Sequence, residues 1–291
     1  MCPQDLIGLM ALDNLNWKII GWVDSHKTLN RYFSSKKILL NCISTLDFLN
    51  KDNNYFEKNF IIASSFKNYK QESREILLNK FKEKLKCLLK NSRNSNIIFI
   101  SSAAVYGLSD QTKSFKENSE CNPNNFYGSE KIMLEHLIKN ECANNNSSFT
   151  ILRPSGIFGK SLDLSRSNNL LDRIKNSSKA QQKLELQIEN GGVQERDFIN
   201  LKDLFFFIVS IAELYKEGDL IKNMTFNISN GKKYTIKEIC EYGKLINKNF
   251  HPKYYNKSPH NKMIHCTLDI AKISNIFQNY KFSQVEEFLE N

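Results

Sequence analysis

The feature that most constrains the fold is an apolar run at residues 96–100 that ends in two serines. The run, Asn96-Ile-Ile-Phe-Ile100, is typical of a strand buried on both faces of a parallel sheet, because such strands lack polar alternation. Ser102 would then lie at the carboxyl end of that strand, which is where open α/β sheets bind their ligands. The pattern therefore predicts a parallel α/β protein with Ser102 at the ligand-binding edge of its sheet.

A tyrosine and a lysine follow at helical spacing. Apolar residues at positions 132, 134, 137 and 138 recur at helical intervals, so Tyr127 and Lys131 would lie one turn apart on the same helix face. A phenol with a pKa of about 10 is a poor base at neutral pH, but an adjacent ammonium favours the phenolate and lowers that pKa. We therefore interpret Tyr127 as a candidate acid/base, with Ser102 as the hydroxyl that would hydrogen-bond the reacting substrate oxygen. Tyr-x-x-x-Lys also occurs by chance on helices, so this interpretation depends on the strand motif before it.

Four sequence blocks occur in a characteristic order along the chain. They are Phe99-Ile-Ser-Ser-Ala-Ala-Val-Tyr-Gly107, Tyr127-Gly-Ser-Glu-Lys131, Leu152-Arg-Pro-Ser-Gly-Ile-Phe-Gly159 and Gly191-Gly-Val-Gln-Glu-Arg-Asp-Phe-Ile-Asn-Leu-Lys-Asp203. With these blocks the chain resembles the extended short-chain dehydrogenase/reductases of the nucleotide-sugar epimerase/dehydratase group. The resemblance implies a catalytic triad of Ser102, Tyr127 and Lys131, with NAD as the cofactor and Lys131 also holding its ribose.

The same resemblance implies further ligand-binding positions. For the cofactor these are Gly8, Asp24, Ala63, Ser64, Asn79, Tyr127, Lys131 and Pro154, and for the substrate they are Ser102, Ala103, Ser155 and Arg196. Asp24 favours NAD over NADP, because a carboxylate accepts hydrogen bonds from free ribose hydroxyls and repels an extra phosphate. Arg196 would grip the substrate diphosphate through bidentate bonds. The alternatives are an exposed helical asparagine at Asn79 and, at Arg196, a surface arginine paired with Glu195 or Asp197.

The start of the chain lacks the phosphate-binding pattern of a dinucleotide fold. Residues 18–24 predict the second strand and residues 6–15 the helix before it, with Gly8 in the place of the third glycine of the loop. Cys2 and Asp5 then occupy the two earlier glycine positions, and no residues remain for the first strand. Three explanations stay open. The recorded start lies downstream of the true one, which we favour; or the cofactor site has been lost; or residues 6–12 form a makeshift strand.

These observations predict an α/β fold, with a Rossmann-like doubly wound parallel sheet whose first strand and glycine-rich loop are truncated or degenerate. A smaller C-terminal substrate domain would complete it. The first domain would cover residues 1–158, with return contributions from about 197–216, and the second would cover 159–291, mainly 160–196 and 217–291. Further predicted strands lie at 37–43, 59–65 and 149–154, and a closing strand-to-helix unit begins at 265. Further predicted helices lie at 72–91, 203–215 and 235–246.

Composition argues against several other classes of protein. The formal net charge is +10, but the lysines are spread thinly, so we predict no nucleic-acid partner. The seven cysteines contain no Cys-x-x-Cys pair and the histidines lack metal-ligand spacing, so we predict neither disulfides nor a metal. No apolar run approaches the roughly 18–20 residues that cross a bilayer, and no signal-peptide pattern occurs, so we expect a cytoplasmic protein without a membrane partner.

The residues after Ser102 narrow the expected reaction. By the family's pattern, dehydratases carry Asp-Glu after the catalytic hydroxyl residue, whereas this chain has Ala103 and Ala104, and a methyl group cannot transfer a proton. We therefore expect an NAD-dependent nucleotide-sugar 4-epimerase that acts by hydride transfer through a 4-keto intermediate. A 4-ketoreductase, or a non-catalytic Rossmann-like binding protein, stays open. The expected partner is a nucleotide-diphosphate sugar, and the resemblance implies a homodimer formed through the two helices that flank the active site.

Overall fold

The computed structural model describes residues 22–23, 43–44, 60–63, 71–91, 96–159, 170–180, 182–217, 221–256 and 265–290. The strands are β1 (Trp22–Val23), β2 (Ile43–Ser44), β3 (Phe60–Ala63), β4 (Asn96–Ile100), β5 (Ser148–Pro154), β6 (Gly156–Phe158), β7 (Leu184–Glu189), β8 (Glu195–Asn200), β9 (Met224–Ile228), β10 (Lys233–Thr235) and β11 (Phe250–Tyr255). The helices are α1 (Gln71–Asn91), α2 (Phe126–Asn144), α3 (Leu170–Lys179), α4 (Leu201–Glu217), α5 (Ile236–Ile246), α6 (Ala271–Ile276) and α7 (Val285–Glu290).

The main sheet is parallel and has the strand order β3-β4-β5-β9. Side chains of β4 alternate between two hydrophobic clusters. Ile97 and Phe99 pack with residues of α1 and α2, whereas Ile98 and Ile100 pack with residues of α4. Helices therefore cover both faces of the sheet, which explains why β4 carries an unbroken apolar sequence. This is the doubly wound arrangement that the sequence predicts.

Strands β1 and β2 form a separate parallel pair, with Trp22 opposite Ile43 and Val23 opposite Ser44. Both lie within or at the end of segments predicted as strands. The missing first strand, the glycine-rich loop and the makeshift strand considered at 6–12 all lie outside the described residues.

The C-terminal half has a hydrophobic cluster of its own. Strands β10, β8 and β6 form one sheet and β11 pairs in parallel with β7. Side chains from these strands pack with α3, α5 and α7, and the cluster includes Phe158, Ile174, Phe198, Ile239 and Phe250. Helix α4 instead packs on the main sheet. We propose that the predicted boundary near residue 158, with the chain returning to the first domain in α4, separates these two parts.

Several element ends differ from the predicted ones for local reasons. Helix α4 begins at Leu201, two residues before the predicted start, and the side chain of Asn200 accepts a hydrogen bond from the Lys202 N–H at 2.9 Å. At α5 the predicted start is correct to one residue, because Thr235 and Glu238 form a reciprocal capping box. The chain turns at Gly191 and Gly192, and both residues have positive φ, which glycine adopts without strain.

The strand predicted from residue 265 is wrong in one respect. Residues 265–268 form only isolated bridges to Ser109, Phe115 and Arg196 before α6 begins at Ala271. Two of these partners belong to an irregular loop, so no continuous ladder forms in the described part of the chain. The segment instead ties that loop to β8.

None of the helices given above combines the length and the apolar character that a membrane span requires.

Candidate active site

The carboxyl end of β4 presents Ser102. The strand ends at Ile100, and Ser102 has an extended backbone and caps the short 3₁₀ turn Ala103–Val105. Its Oγ accepts a hydrogen bond from the Ala104 N–H at 3.2 Å. That bond uses an acceptor site of the oxygen, and it leaves the hydroxyl hydrogen able to donate to a ligand. Ser102 itself is half-buried, as a ligand-facing residue at a sheet edge should be.

Helix α2 brings Tyr127 and Lys131 to the same place. Lys131 is fully buried, and its Nζ donates to the Ile100 carbonyl at 2.7 Å. The same Nζ lies 5.1 Å from the ring centroid of Phe99 and 5.6 Å from that of Tyr127. A buried ammonium beside a half-buried phenol stabilises the phenolate, because the positive charge is weakly screened there. This pairing can lower the proton affinity of Tyr127.

A glycine allows the helix to approach the Ser102 turn closely. A Cβ added to Gly128 would lie 2.3 Å from the Ala104 carbonyl oxygen, which is closer than real Cβ contacts allow. The helix start is fixed by Asn125, whose side chain accepts from the Gly128 N–H at 2.9 Å. Because helix and turn touch through main-chain atoms, Tyr127 lies on an element in direct contact with the turn that Ser102 begins.

A cavity of about 260 Å³ opens beside this turn. Five of the predicted ligand-binding residues line it: Ser102, Ala103, Pro154, Ser155 and Arg196. Its other lining residues are Ala104, Gly107, Leu108, Asn124, Asn125, Gly156, Asp197, Phe198 and Cys266. Tyr127 and Lys131 are not part of this lining, and Lys131 contacts the end of β4 from the helix side. The structure thus brings predicted residues from β4, β5 and β8 to one concave site.

Ser155 offers this cavity a buried hydroxyl. Its exposed fraction is 8%, and its Oγ has no hydrogen-bond partner within the described structure. An unpartnered buried hydroxyl costs free energy, so a ligand that supplies the missing bond would be favoured. The residue before it, Pro154, is the last residue of β5, and the Ser155 N–H still donates to the Ile228 carbonyl of β9 at 2.9 Å.

Arg196 and Asp197 form the wall contributed by β8. The Arg196 Nη1 donates to the main-chain carbonyl of Glu195 at 2.7 Å, and burial lowers the pKa of its guanidinium. Asp197 is buried and accepts from the Leu268 N–H at 2.7 Å. Burial raises the pKa of Asp197 to about 6, while the Leu268 bond and the Arg196 charge oppose that shift. The guanidinium of Arg196 thus lies at the cavity next to Asp197, a carboxyl group that ionises less readily than usual.

The remaining predicted positions lie on β3, on α1 or outside the described residues. Ala63 ends β3 and pairs with Phe99 of β4, so it lies at the same edge of the sheet as Ser102. Asn79 is exposed on α1. Gly8, Asp24 and Ser64 lie outside the described residues. Over the described part of the chain, no group of His, Cys, Asp and Glu side chains is suited to hold a metal ion.

Sequence reasoning missed a buried polar network beneath the site. Ser101 donates to Glu135, Glu135 is paired with Arg153, and Arg153 donates to Tyr106. Two signals pointed to it. Glu135 follows Lys131 by one helical turn on the same face, and Arg153 interrupts a strand that is otherwise apolar before its proline.

A family model for the NAD dependent epimerase/dehydratase family matches residues 80–229, which is slightly more than half of the chain. No curated protein sequence matches the chain.

Solved structures match over most of their length at low sequence identity. The UDP-glucuronic acid 4-epimerase from Bacillus cereus in complex with NAD has a TM-score of 0.78 at 18% identity, over 98% of this chain and 92% of that one. The UDP-N-acetylglucosamine 4-epimerase from Methanobrevibacter ruminantium has a TM-score of 0.68 at 21% identity, over 86% and 82%. The dTDP-glucose 4,6-dehydratase from Bacillus anthracis has a TM-score of 0.64 at 16% identity, over 93% and 77%.

These likenesses confirm the predicted Rossmann-like parallel α/β fold, and the family match confirms the resemblance drawn from the four sequence blocks. The chain belongs to the NAD dependent epimerase/dehydratase family.

Proposed function

We propose that the protein is an NAD-dependent nucleotide-sugar 4-epimerase. The observation that carries the proposal is the buried Lys131 ammonium, which is bonded to the end of β4 and lies 5.6 Å from the Tyr127 ring. Burying an ammonium costs free energy unless a hydrogen-bond partner compensates for the lost hydration, so a buried lysine at this position points to a function. Here it has a carbonyl partner at the ligand-binding edge of the sheet and a phenol beside it. Membership of an NAD-dependent family is consistent with this use.

The described residues fit NAD as the cofactor. Lys131, Tyr127 and Pro154 would hold its ribose and nicotinamide end, with the small Ala63 at the same sheet edge allowing close approach. Several of the similar structures contain NAD, among them the B. cereus UDP-glucuronic acid 4-epimerase without and with UDP-glucuronic acid. When bound, NAD would accept hydride from the sugar and return it. The residues proposed for the adenosine and phosphate end, Gly8, Asp24 and Ser64, belong to the undescribed part of the chain, and Asn79 is proposed with them.

The chain's own residues supply the proton chemistry. Tyr127 takes the proton from the sugar 4-hydroxyl and later returns it, because Lys131 stabilises its phenolate. Ser102 donates a hydrogen bond to the same sugar oxygen and holds it in place, which helps stabilise charge as it develops. A 4-keto sugar would be the intermediate, and Tyr127 would return the proton to its C4 oxygen as the epimer forms.

The substrate is proposed to be a nucleotide-diphosphate sugar. Arg196 presents a guanidinium to the cavity and suits a diphosphate, since planar N–H groups pair with phosphate oxygens in bidentate fashion. Ser155 and Ala103 would contact the sugar or the adjacent phosphate. The similar structures include enzymes of UDP-sugars and of a dTDP-sugar, so both nucleotides belong in the test.

Dehydration is a weaker candidate although a 4,6-dehydratase has a similar fold. Ala103 is buried and Ala104 half-buried beside Ser102, and both line the cavity. Neither side chain can transfer a proton, so the acid/base pair that elimination needs is missing from these two positions. A 4-ketoreductase would use the same Ser102, Tyr127 and Lys131 and differs only in net consumption of reduced cofactor.

The decisive experiment is turnover of a panel of UDP- and dTDP-sugars by the purified chain with NAD, followed by NMR of the products. We expect the 4-epimer to form without net accumulation of NADH. Tyr127→Phe removes the phenolic proton carrier and should lower kcat by about 10²-fold or more. Stoichiometric use of reduced cofactor would identify a ketoreductase instead. Absence of both turnover and calorimetric NAD binding would refute the proposed function for this chain.

We also propose that the protein forms a homodimer through α1 and α2. Light scattering gives the mass directly, and a monomer at assay concentration would refute this assembly.

A further inference from the structure

Helix α2 is fastened to the end of β4 at two points one turn apart. At the first point, the Lys131 Nζ donates to the Ile100 carbonyl at 2.7 Å. At the second, the Ser101 Oγ donates to the Glu135 Oε1 at 2.5 Å. Ser101, Lys131 and Glu135 are all buried. The two bonds therefore fix both the height and the rotation of the helix relative to residues 100–102.

The second fastening point is held from the neighbouring strand. Arg153 on β5 pairs with Glu135 in bidentate fashion, with Nε to Oε1 at 3.0 Å and Nη2 to Oε2 at 2.7 Å. The guanidinium is buried, and its pairing with Glu135 raises the pKa of Arg153 despite the cost of burial. Arg153 stands directly before Pro154 and Ser155, which line the cavity. The carboxylate of Glu135 thus has a fixed orientation toward Ser101.

The network continues to the far end of the Ser102 turn. The Arg153 Nη1 donates to the Tyr106 hydroxyl at 2.8 Å, and that hydroxyl donates to the Asn227 Oδ1 at 2.7 Å. Tyr106 closes the turn that Ser102 begins, because its N–H bonds the Ala103 carbonyl at 3.1 Å. The turn is consequently held at both of its ends, by Ser101 on one side and Tyr106 on the other.

Stability alone is a weak reason for such a network. A buried ion pair loses much of its attraction to desolvation, and well-packed apolar residues often replace one without loss. What apolar residues cannot supply is a directional bond at Ser101, the residue between the carbonyl that holds Lys131 and the side chain of Ser102. The remaining main-chain bond of Ser101, from its N–H to the Leu152 carbonyl at 2.7 Å, fixes the strand but not the helix.

We propose that Ser101, Glu135 and Arg153 are positioning residues that keep Lys131 and Ser102 in one relative placement around the reacting oxygen. This rests on the proposed function, because it assumes that Lys131 and Ser102 act on one substrate. It assigns a task to three residues that do not themselves touch substrate. A displacement of about 1 Å at a reacting group can cost up to about 10²-fold in rate, so even a small loosening should be measurable.

Other titratable groups face this network and must be separated from it in any pH experiment. The Lys139 Nζ lies 4.0 Å from the Glu135 Oε2 on the solvent side of α2. Cys121 also faces Arg153, and burial raises the pKa of its thiol while Arg153 opposes that shift. The main-chain carbonyl of Glu117 accepts from Arg153 at 3.2 Å, and its carboxylate accepts from the Asn227 N–H at 3.0 Å. Burial raises the pKa of Tyr106 well above its usual value, so this phenol stays protonated.

The test compares Ser101→Ala with the matched change Ser177→Ala. Ser177 is also a buried serine with two side-chain bonds, to the Ile174 carbonyl at 2.8 Å and from the Asn247 Nδ2 at 2.9 Å, but it lies in the C-terminal cluster. We expect Ser101→Ala to lower kcat about tenfold while KM for the nucleotide sugar changes less than about twofold. Ser177→Ala should lower the melting temperature about as much as Ser101→Ala does, but it should leave kcat unchanged.

A second measurement does not depend on turnover. The ionisation of Tyr127 is followed by tyrosinate absorbance, as the difference between each protein and the same protein carrying Tyr127→Phe. We expect Ser101→Ala to raise the pKa of Tyr127 by about half a unit, because Lys131 is held less firmly beside the ring. Ser177→Ala should leave it unchanged.

The outcomes separate the two proposals. If the unmodified chain turns over no sugar but its Tyr127 titration responds to Ser101→Ala, the proposed function fails, whereas the placement of Lys131 beside Tyr127 by this network stands. If Ser101→Ala leaves both kcat and the titration unchanged, or if Ser177→Ala alters them equally, the positioning role is refuted whatever the substrate.

Discussion

The two cationic residues of the candidate site are held very differently. Lys131 is fully buried, bonded to the Ile100 carbonyl and backed by the Ser101–Glu135–Arg153 network. Arg196 is half-buried and lines the cavity from β8, and its Nη1 bonds a main-chain carbonyl of its own strand. Proton transfer needs groups fixed to fractions of an ångström, whereas gripping a diphosphate tolerates adjustment of a long side chain. Under the proposed function, Lys131 would belong to a rigid reaction end of the site and Arg196 to a more adaptable binding end.

The largest effect is expected at the rigid end. Lys131→Met removes the ammonium that stabilises the Tyr127 phenolate, so kcat at neutral pH should fall by about 10²-fold or more. Activity should recover in part as the pH rises toward the ordinary phenol pKa of about 10. The measurement is the pH profile of kcat.

Its control is Lys139→Met, which removes a half-exposed lysine from the same helix. Equal losses in the two variants would contradict the role given to Lys131.

A smaller effect of a different kind is expected at the binding end. Arg196→Ala should raise KM for the nucleotide sugar about tenfold and leave kcat within about threefold, because the lost contact is the same in ground and transition states. Arg196→Lys should give a KM between that of the unmodified protein and that of Arg196→Ala, since an ammonium keeps the charge but loses bidentate geometry. Steady-state kinetics give both parameters.

Arg173→Ala, at an exposed position of α3, is the matched control. If Arg196→Ala lowered kcat alone, the division between a reaction end and a binding end would be wrong.

The smallest effect concerns stability at the binding end. Burial raises the pKa of Asp197 to about 6, above its value in an unfolded chain. A folded-state pKa that is raised means that the native state binds the proton more tightly, so this group's stabilising contribution is present at low pH and is lost as pH rises through about 6. Between pH 7 and pH 5 the free energy of unfolding should gain about 1 kcal/mol from this group.

Asp197→Asn should remove that gain, as measured by urea unfolding at the two pH values. An unchanged pH dependence in the variant would show that Asp197 is ionised normally.

Much of the main sheet could be predicted, because its strands carry the pattern that burial on both faces imposes. The apolar run that begins at Asn96 predicted strand β4, and the two serines that follow it placed Ser102 at the carboxyl end of the strand. Tyr127 and Lys131 followed from their helical spacing together with the strand motif before them. Arg153 and Glu135 did not, because their pairing joins a helix to a strand and depends on tertiary packing rather than on local spacing.

The C-terminal segment shows where the local sequence pattern did not predict the structure. Residues 265–272 have the composition of a strand followed by a helix, yet the described bridges of residues 265–268 go to β8 and to the loop around residues 109–115. Whether an extended segment joins a sheet depends on which neighbours fold beside it, and that information is distributed along the chain.

The contact between Gly128 and the Ala104 carbonyl also limits how this protein can change. Since a single methyl group has no room there, the helix and the turn cannot be spread apart to admit a bulkier sugar without breaking the contact itself. Under the proposed function, a broader sugar specificity would be easier to reach by changing the cavity wall formed by β8 and the residues after β5.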